Sequence, residues 1–230
     1  MRTIYGAALP IIACRPVEAP ADLPFAVYAY SGESMLPEQV ASIRSFLRYA
    51  GRPKKFTVVS DGTYSPRGIA LLRSIDSVVS VSSFADWLPP NLSPRLHPYF
   101  TEHPTGKQLA LIMSLPIDGP ALYVDSDILF FSGARILSSL SPIPGVPAQY
   151  LADCQLSADD RLFRNPSERR NPVNTGVLFL SGKLDWSLGL DRLSALEGAP
   201  NFFTNQTISP HDARERRAAF RCPKIRPPAE

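Results

Sequence analysis

Short apolar runs and stretches of helical period take turns along most of the chain. Phe25–Tyr30 reads as a first strand, and after Pro37 the residues Val40, Ile43, Phe46, Leu47 and Ala50 recur at spacings of three and four, predicting a helix that Gly51 stops. Phe56–Ser60 reads as a second strand ending at Asp61-Gly62. Ser65 and Pro66 then supply an N-cap and first residue for a helix through Ile75, and Ser77–Val81 a third strand. A β-α-β-α-β run predicts a parallel sheet with ligands at the carboxyl ends of its strands.

The rhythm breaks between Phe84 and Gly106, where five prolines accompany Phe84, Trp87, Tyr99 and Phe100. The expectation is a long loop, serving as a lid or binding loop or else ordered by proline with its aromatics packed down. Beyond it the pattern predicts helices at Lys107–Leu115, Ala134–Leu140 and Asp185–Glu197, with strands at Ala121–Val124, Ala148–Ala152 and Val177–Leu180. The organisation expected is an irregular extension over residues 1–22, one α/β domain over 23–209 and a basic, disordered tail over 210–230. Arg2 and the apolar stretch ending at Cys14 faintly resemble a lipoprotein signal, but Pro10 breaks the stretch and the irregular extension is preferred.

Composition fits one domain: 230 residues, 44% hydrophobic and 20% charged, with 24 prolines against 13 glycines favouring ordered loops over flexible linkers. No apolar run approaches the ~18 residues of a membrane span. The formal charge of +3 sits in residues 210–230, which hold six Lys or Arg and three Asp or Glu. The remainder is neutral, which argues against nucleic acid as a partner. Cys14, Cys154 and Cys222 are too few and too far apart for a disulfide framework or a structural zinc site, so a reducing cytoplasm is expected.

The strongest chemical signal is Ala121–Phe131, ALYVDSDILFF. Two carboxylates between apolar runs are costly to bury without a partner. Residues two apart in an extended segment point the same way, so Asp125 and Asp127 are expected to converge on one divalent cation, Mn2+ or Mg2+, shared with phosphate oxygens, the alternative being a turn at a strand end with solvated aspartates.

This segment resembles the D-x-D motif of the nucleotide-diphospho-sugar glycosyltransferases of GT-A fold, above all family eight, the glycogenin and lipopolysaccharide galactosyltransferase group. Other pieces follow in that family's order. YAYSGESMLPEQVASIRSFLRYAG resembles its nucleotide-binding start, FTVVSDGTYS its second strand with Asp61, and TGKQLALIMSLP its basic residue, here Lys107. NPVNTGVLFL is similar to its N-A-G-V-L strand through Asn174, and TNQTI to its D-Q-D segment through Gln206. The resemblance implies a three-layer α/β/α, Rossmann-like domain with a mainly parallel sheet and one antiparallel strand in its second half. It implies a metal-dependent, retaining transfer of a sugar from a nucleotide-diphosphate donor to a sugar, lipid or protein acceptor. Tyr30, Ser31, Asp61, Lys107 and Ser126 would bind the nucleotide diphosphate, Asp125 and Asp127 the metal, and Asn174 and Gln206 would face the sugar, the alternative for these two amides being to cap backbone in the core.

The chain departs from the family pattern at two places. Asn205 and Thr207 stand at the acidic positions of D-Q-D, and no C-terminal histidine motif is visible, His211 being the sole downstream histidine. A nucleotide-sugar-binding protein without turnover is therefore an alternative. A haloacid-dehalogenase-type phosphatase, whose D-x-D normally opens its domain, is another. His97 and His103 are expected at the surface, Asp159-Asp160-Arg161 and Ser167–Arg170 on a solvated face, and Trp186, Phe202 and Phe203 in the core, the alternative for an exposed one being to stack on a sugar ring.

Overall fold

The computed structural model describes residues 2–90, 92–116, 118–152, 157–170 and 173–209. A helix, α1 (Arg2–Ala13), precedes β1 (Ala26–Ser31), α2 (Leu36–Tyr49), β2 (Phe56–Ser60), α3 (Pro66–Arg73) and β3 (Val79–Ser83). Then come α4 (His97–Glu102), α5 (Pro104–Ser114), β4 (Ala121–Val124), β5 (Ala148–Ala152), β6 (Val173–Leu180), α6 (Ser187–Ser194) and α7 (Thr204–Ile208). The sheet order is β3-β2-β1-β4-β6-β5; β1 to β4 are parallel, and β6 runs antiparallel to both β4 and β5. This is the mixed, mainly parallel α/β sheet anticipated.

Strand alternation builds a core on each face of that sheet. Val27, Ala29, Val58, Leu122, Val124 and Phe179 pack under α1, α2 and α3. Tyr28, Val59, Tyr123, Leu178 and Leu180 pack under α4 to α7. The expected helix stop is in place: Gly51 has φ 138° and a Cβ there would stand 2.6 Å from the Ala21 carbonyl, so only glycine fits.

Several expectations need correction. The N-terminal extension is not irregular: α1 docks on the sheet's first helical layer, burying Leu9 and Ala13, and Arg44 donates to the Arg15 carbonyl at 2.7 Å. Pro10 is tolerated inside this short helix. The stretch after Phe84 is not structureless, since it forms a 3-10 turn at Phe84–Trp87 and then α4, while Phe84, Tyr99 and Phe100 are buried. Residues Ser132–Ser139 form a 3-10 helix rather than an α-helix. There Ser138 and Ser139 donate to the carbonyls three residues back, favouring the tighter winding.

The polar connection before β6 is a solvated face only in part: Asp160, Arg161 and Arg169 are exposed, but Asp159 and Glu168 are not. Asp159 is 1% exposed and accepts from Arg161 and Thr204, while Glu168 meets Arg192 through two 2.9 Å contacts in a buried ion pair. Phe202 and Phe203 are exposed, the reverse of the expectation, whereas Trp186 packs against the core. His97 is exposed, and His103 is half-buried with its Nδ1 3.0 Å from the Thr105 hydroxyl. The tail at 210–230, with His211, lies outside the described residues.

Candidate functional site

The chain order reverses beside β1: β2 and β3 extend the sheet on one side, β4 on the other. Ligands of open α/β sheets bind at the carboxyl ends of strands at such a switch point, and the residues singled out from the sequence gather there in two groups.

The first group follows β1 and β2. Ser31 is 4% exposed, and its hydroxyl donates to Gln39 Oε1 at 2.8 Å and shares a 2.7 Å hydrogen bond with Tyr64. Asp61 accepts from both the amide and the hydroxyl of Thr63, and its carboxylate packs on Gly32, where a Cβ has no room. The ring of Tyr30 meets Phe84 edge-on at 6.0 Å, and the Lys107 ammonium lies 5.8 Å from the centre of that same ring. Tyr30, Phe84 and Lys107 thus form one wall, with Lys107 in the first turns of α5. Burial, with the Asp61 charge, pushes the Tyr30 phenol well above its usual range.

The second group follows β4 and faces β6. The segment after Val124 is a turn, closed by Ile128 N donating to the Asp125 carbonyl at 3.3 Å, so the extended geometry expected for Asp125 and Asp127 does not hold. Asp125 is enclosed by protein yet keeps an open edge. Its Oδ1 accepts from Gln108 Nε2 at 2.6 Å and from the Tyr123 hydroxyl at 2.9 Å. Its Oδ2 borders Gly176, where a Cβ would sit 2.9 Å from that oxygen and 2.9 Å from Asn174 Oδ1. The glycine of the N-T-G-V sequence therefore lets Asp125 and Asn174 share this corner. Burial raises the Asp125 carboxyl to about 6, helped by the charge of Asp127 and opposed by the hydrogen bonds from Tyr123 and Gln108. Asp127 is close enough to be felt but is exposed, and borders an apolar groove of about 650 Å³ beside Ile4, Pro37 and Leu129. Ser126, between the two, is 9% exposed.

Asn174 turns its Oδ1 onto Gly176 N at 2.8 Å. Gln206 accepts from Thr175 N at 3.4 Å and donates to the Ser157 carbonyl at 3.2 Å, so both ends of its amide rest on backbone. The sequence reading missed Gln108 and Tyr123, and took Asn205 only as a departure from the family pattern. Asn205 is 3% exposed and donates to Gln108 Oε1 at 2.8 Å, tying the D-x-D and T-N-Q-T segments together. For Gln108 the adjacency to Lys107 was the available signal, and for Asn205 its place at an acidic position of the D-Q-D pattern.

Among the described residues no group of three or more His, Cys, Asp or Glu could hold a metal. The donor set instead fits a cation bound by one or two carboxylates and completed by phosphate oxygens, the habit of Mg2+ and Mn2+ at nucleotides. No helix of the described residues is long and apolar enough to cross a membrane. The D-x-D follows the fourth strand, not the first, unlike a haloacid-dehalogenase nucleophile.

No protein-family model matches the chain, and no curated protein matches it. Solved structures do. Mouse xyloside xylosyltransferase 1 matches at 16% identity and TM-score 0.50, covering 85% of this chain and 74% of that one. The bifunctional glycosyltransferase WbbM matches at 16% identity and TM-score 0.50, over 84% of this chain and 38% of that one. The galactosyltransferase LgtC matches at 14% identity and TM-score 0.46, and this chain spans 60% of its length. The chain therefore has the fold of a GT-A-like glycosyltransferase.

Proposed function

We propose that the chain is a metal-dependent glycosyltransferase that moves a sugar from a nucleotide-diphosphate donor to a sugar, lipid or protein acceptor, with retention of configuration. The observation that carries this reading is the position of Asp125: a carboxylate with Oδ1 held by Gln108 and Tyr123 and Oδ2 accepting from no side chain among the described residues, bordering Gly176, at the carboxyl end of a central strand beside the switch point. When bound, Mn2+ or Mg2+ would neutralise the charge that develops on the departing nucleoside diphosphate. Asp125 and Asp127 would hold the cation, with Ser126 beside the diphosphate. Tyr30 and Asp61 wall the nucleoside. The Ser31 hydroxyl is committed to Gln39 and Tyr64 and stiffens that wall from behind.

Lys107 adds positive charge near the first turn of α5, whose free amides already favour an anion. Asn174 and Gln206 lie toward the sugar. An amide is neither a base nor a strong nucleophile at neutral pH, so the transfer rests on positioning and leaving-group stabilisation. The reducing cytoplasm suggested by the spacing of the cysteines completes the reading.

A second reading, donor binding without turnover, draws on one observation: both ends of the Gln206 amide are engaged by backbone. Thermal shift with UDP, GDP and their sugars, with and without MnCl2, separates the readings from an unrelated role, because ligand binding stabilises the folded state. Metal-dependent stabilisation by one nucleotide and slow release of sugar from its donor supports the transferase. Stabilisation without release supports the binder, and no nucleotide response ends both.

A further inference from the structure

The asparagine at 205, where the family resemblance leads one to expect an acid, has a chemical reason in the hydrogen-bond polarity around Asp125. An ionised carboxylate offers only acceptors, so the Gln108 amide must turn its nitrogen to Asp125 Oδ1, and does so at 2.6 Å. That leaves Gln108 Oε1 facing away and in need of a donor. Asn205 Nδ2 supplies it at 2.8 Å. The Asn205 amide is oriented in turn, because its Oδ1 accepts from the backbone N–H of Gln206 at 2.8 Å. Asn205 is 3% exposed, and its own carbonyl accepts from the Ser209 hydroxyl at 3.1 Å, so it has little freedom to turn. The run from Gln206 N–H through Asn205 and Gln108 to Asp125 thus points one way throughout.

We propose that Gln108 is a positioning residue for the metal-binding carboxylate and that Asn205 is its matched partner, together fixing Asp125 Oδ1 so that Oδ2 stays open to the cation. This rests on the reading of Asp125 as a metal ligand. A carboxylate at 205 has no proton for Gln108 Oε1. Either two acceptors face each other, or the Gln108 amide reverses and sets its oxygen against Asp125.

The sign of one substitution separates this from simple electrostatics. Asn205→Asp adds negative charge near the site, which by Coulomb attraction alone tightens cation binding. The positioning role requires the opposite: weaker binding by about tenfold, the scale seen when a partner of a metal ligand is lost. In a Gln108→Met background, where no amide is left to reverse, Asn205→Asp should leave the affinity unchanged or tighten it. The measurement is the free Mn2+ signal by electron paramagnetic resonance during titration with MnCl2 alone at pH 8, on the full chain. Tighter binding by Asn205→Asp in the otherwise unchanged protein, or equal weakening in both backgrounds, overturns the proposal.

Thermal unfolding of the metal-free protein tests the pair by a separate route. Gln108→Met and Asn205→Leu, singly and together, should lower Tm less in combination than the sum of the two single losses. Additive losses overturn the pairing. If the unsubstituted protein takes up no Mn2+, the metal reading fails, and the metal-free cycle alone decides whether Gln108 and Asn205 act as a pair.

Discussion

The polar groups at the ends of β1 and β2 close on near neighbours, whereas those at the end of β4 are assembled from segments far apart in the chain. Ser31 is satisfied by Gln39 and Tyr64, Asp61 by Thr63, and Glu33 by the amide and hydroxyl of Ser65 at the start of α3, all within 33 residues. Asp125 depends on Gln108, and Gln108 on Asn205, 97 residues further on. The first region makes a wall that forms wherever the local β-α units form. The second fixes a largely enclosed carboxylate, and its geometry is only as good as the packing of α5, β6 and α7.

If that contrast holds, the largest effects should come from the supports of the second region. Arg192→Met leaves Glu168 with its hydrogen bonds from Arg164 N and Asn165 Nδ2 but removes its buried countercharge, and breaking a buried pair typically costs about 3–5 kcal/mol. Calorimetry should show a large fall in Tm, and near-UV circular dichroism a loss of signal from Trp186, which packs in the same core as α6. An unchanged Tm would mean that this half does not need its buried pair. Next in size, Asp125→Asn should reduce Mn2+-dependent nucleotide binding by roughly 100-fold, equivalent to about 2.7 kcal/mol. The same change should raise Tm slightly, since the ionised carboxyl is disfavoured by its burial. Isothermal titration and thermal shift on one sample would measure both, and unaltered binding would remove Asp125 from the site.

Asp159 gives the pH dependence. Burial alone would raise its carboxyl, but the hydrogen bonds from Arg161 and Thr204 and the Arg161 charge outweigh this and hold it below the usual carboxylate range. A carboxyl lowered in the folded state stabilises above its unfolded pKa of about 3.9, and that contribution is lost as pH falls through the lowered value. Asp159→Asn should therefore cost about 2 kcal/mol near neutrality, from lost charge-assisted hydrogen bonds. The cost should shrink in acid below pH 4. A deficit constant from pH 7 to pH 3 would show that the charge does not matter.

The same contrast explains what the sequence made legible. The element over 56–60 and the Ser65 cap were read to the residue, because strand period and capping are local physics. Asp125 stood out because a carboxylate between apolar runs needs a purpose. Gln108 carried no such mark, and Asn205 only that of a departure from D-Q-D: an amide is ordinary in a helix, and its value here lies in a partner whose distance along the chain no periodicity reveals. Asp159 and Glu168 were misread as solvated for the same reason, their partners Thr204 and Arg192 lying 45 and 24 residues away. In α1, Pro10 suggested an interruption, but Leu9 and Ala13, which dock on the sheet layer, held the helix together.

The smallest effect expected belongs to the first region and tests whether its closure is truly local. Ser65 caps α3 by accepting from Gly68 N at 3.0 Å, and it also donates to Glu33 Oε1 at 3.1 Å, while its amide donates to Glu33 Oε2 at 2.8 Å. Ser65→Ala removes the cap and one of the two bonds to Glu33 but keeps the amide bond, so the glutamate stays anchored at the helix N-terminus, where its charge is favourable. The cost should be about 1 kcal/mol, the usual worth of a serine cap, or roughly 2–4 °C in Tm for a chain of this size. Binding of Mn2+ alone should not change, because neither bond reaches Asp125 or its partners. A weakening of binding comparable to that of Asn205→Asp would show that the two regions are coupled through β1, and the division between a local wall and an assembled site would have to be abandoned.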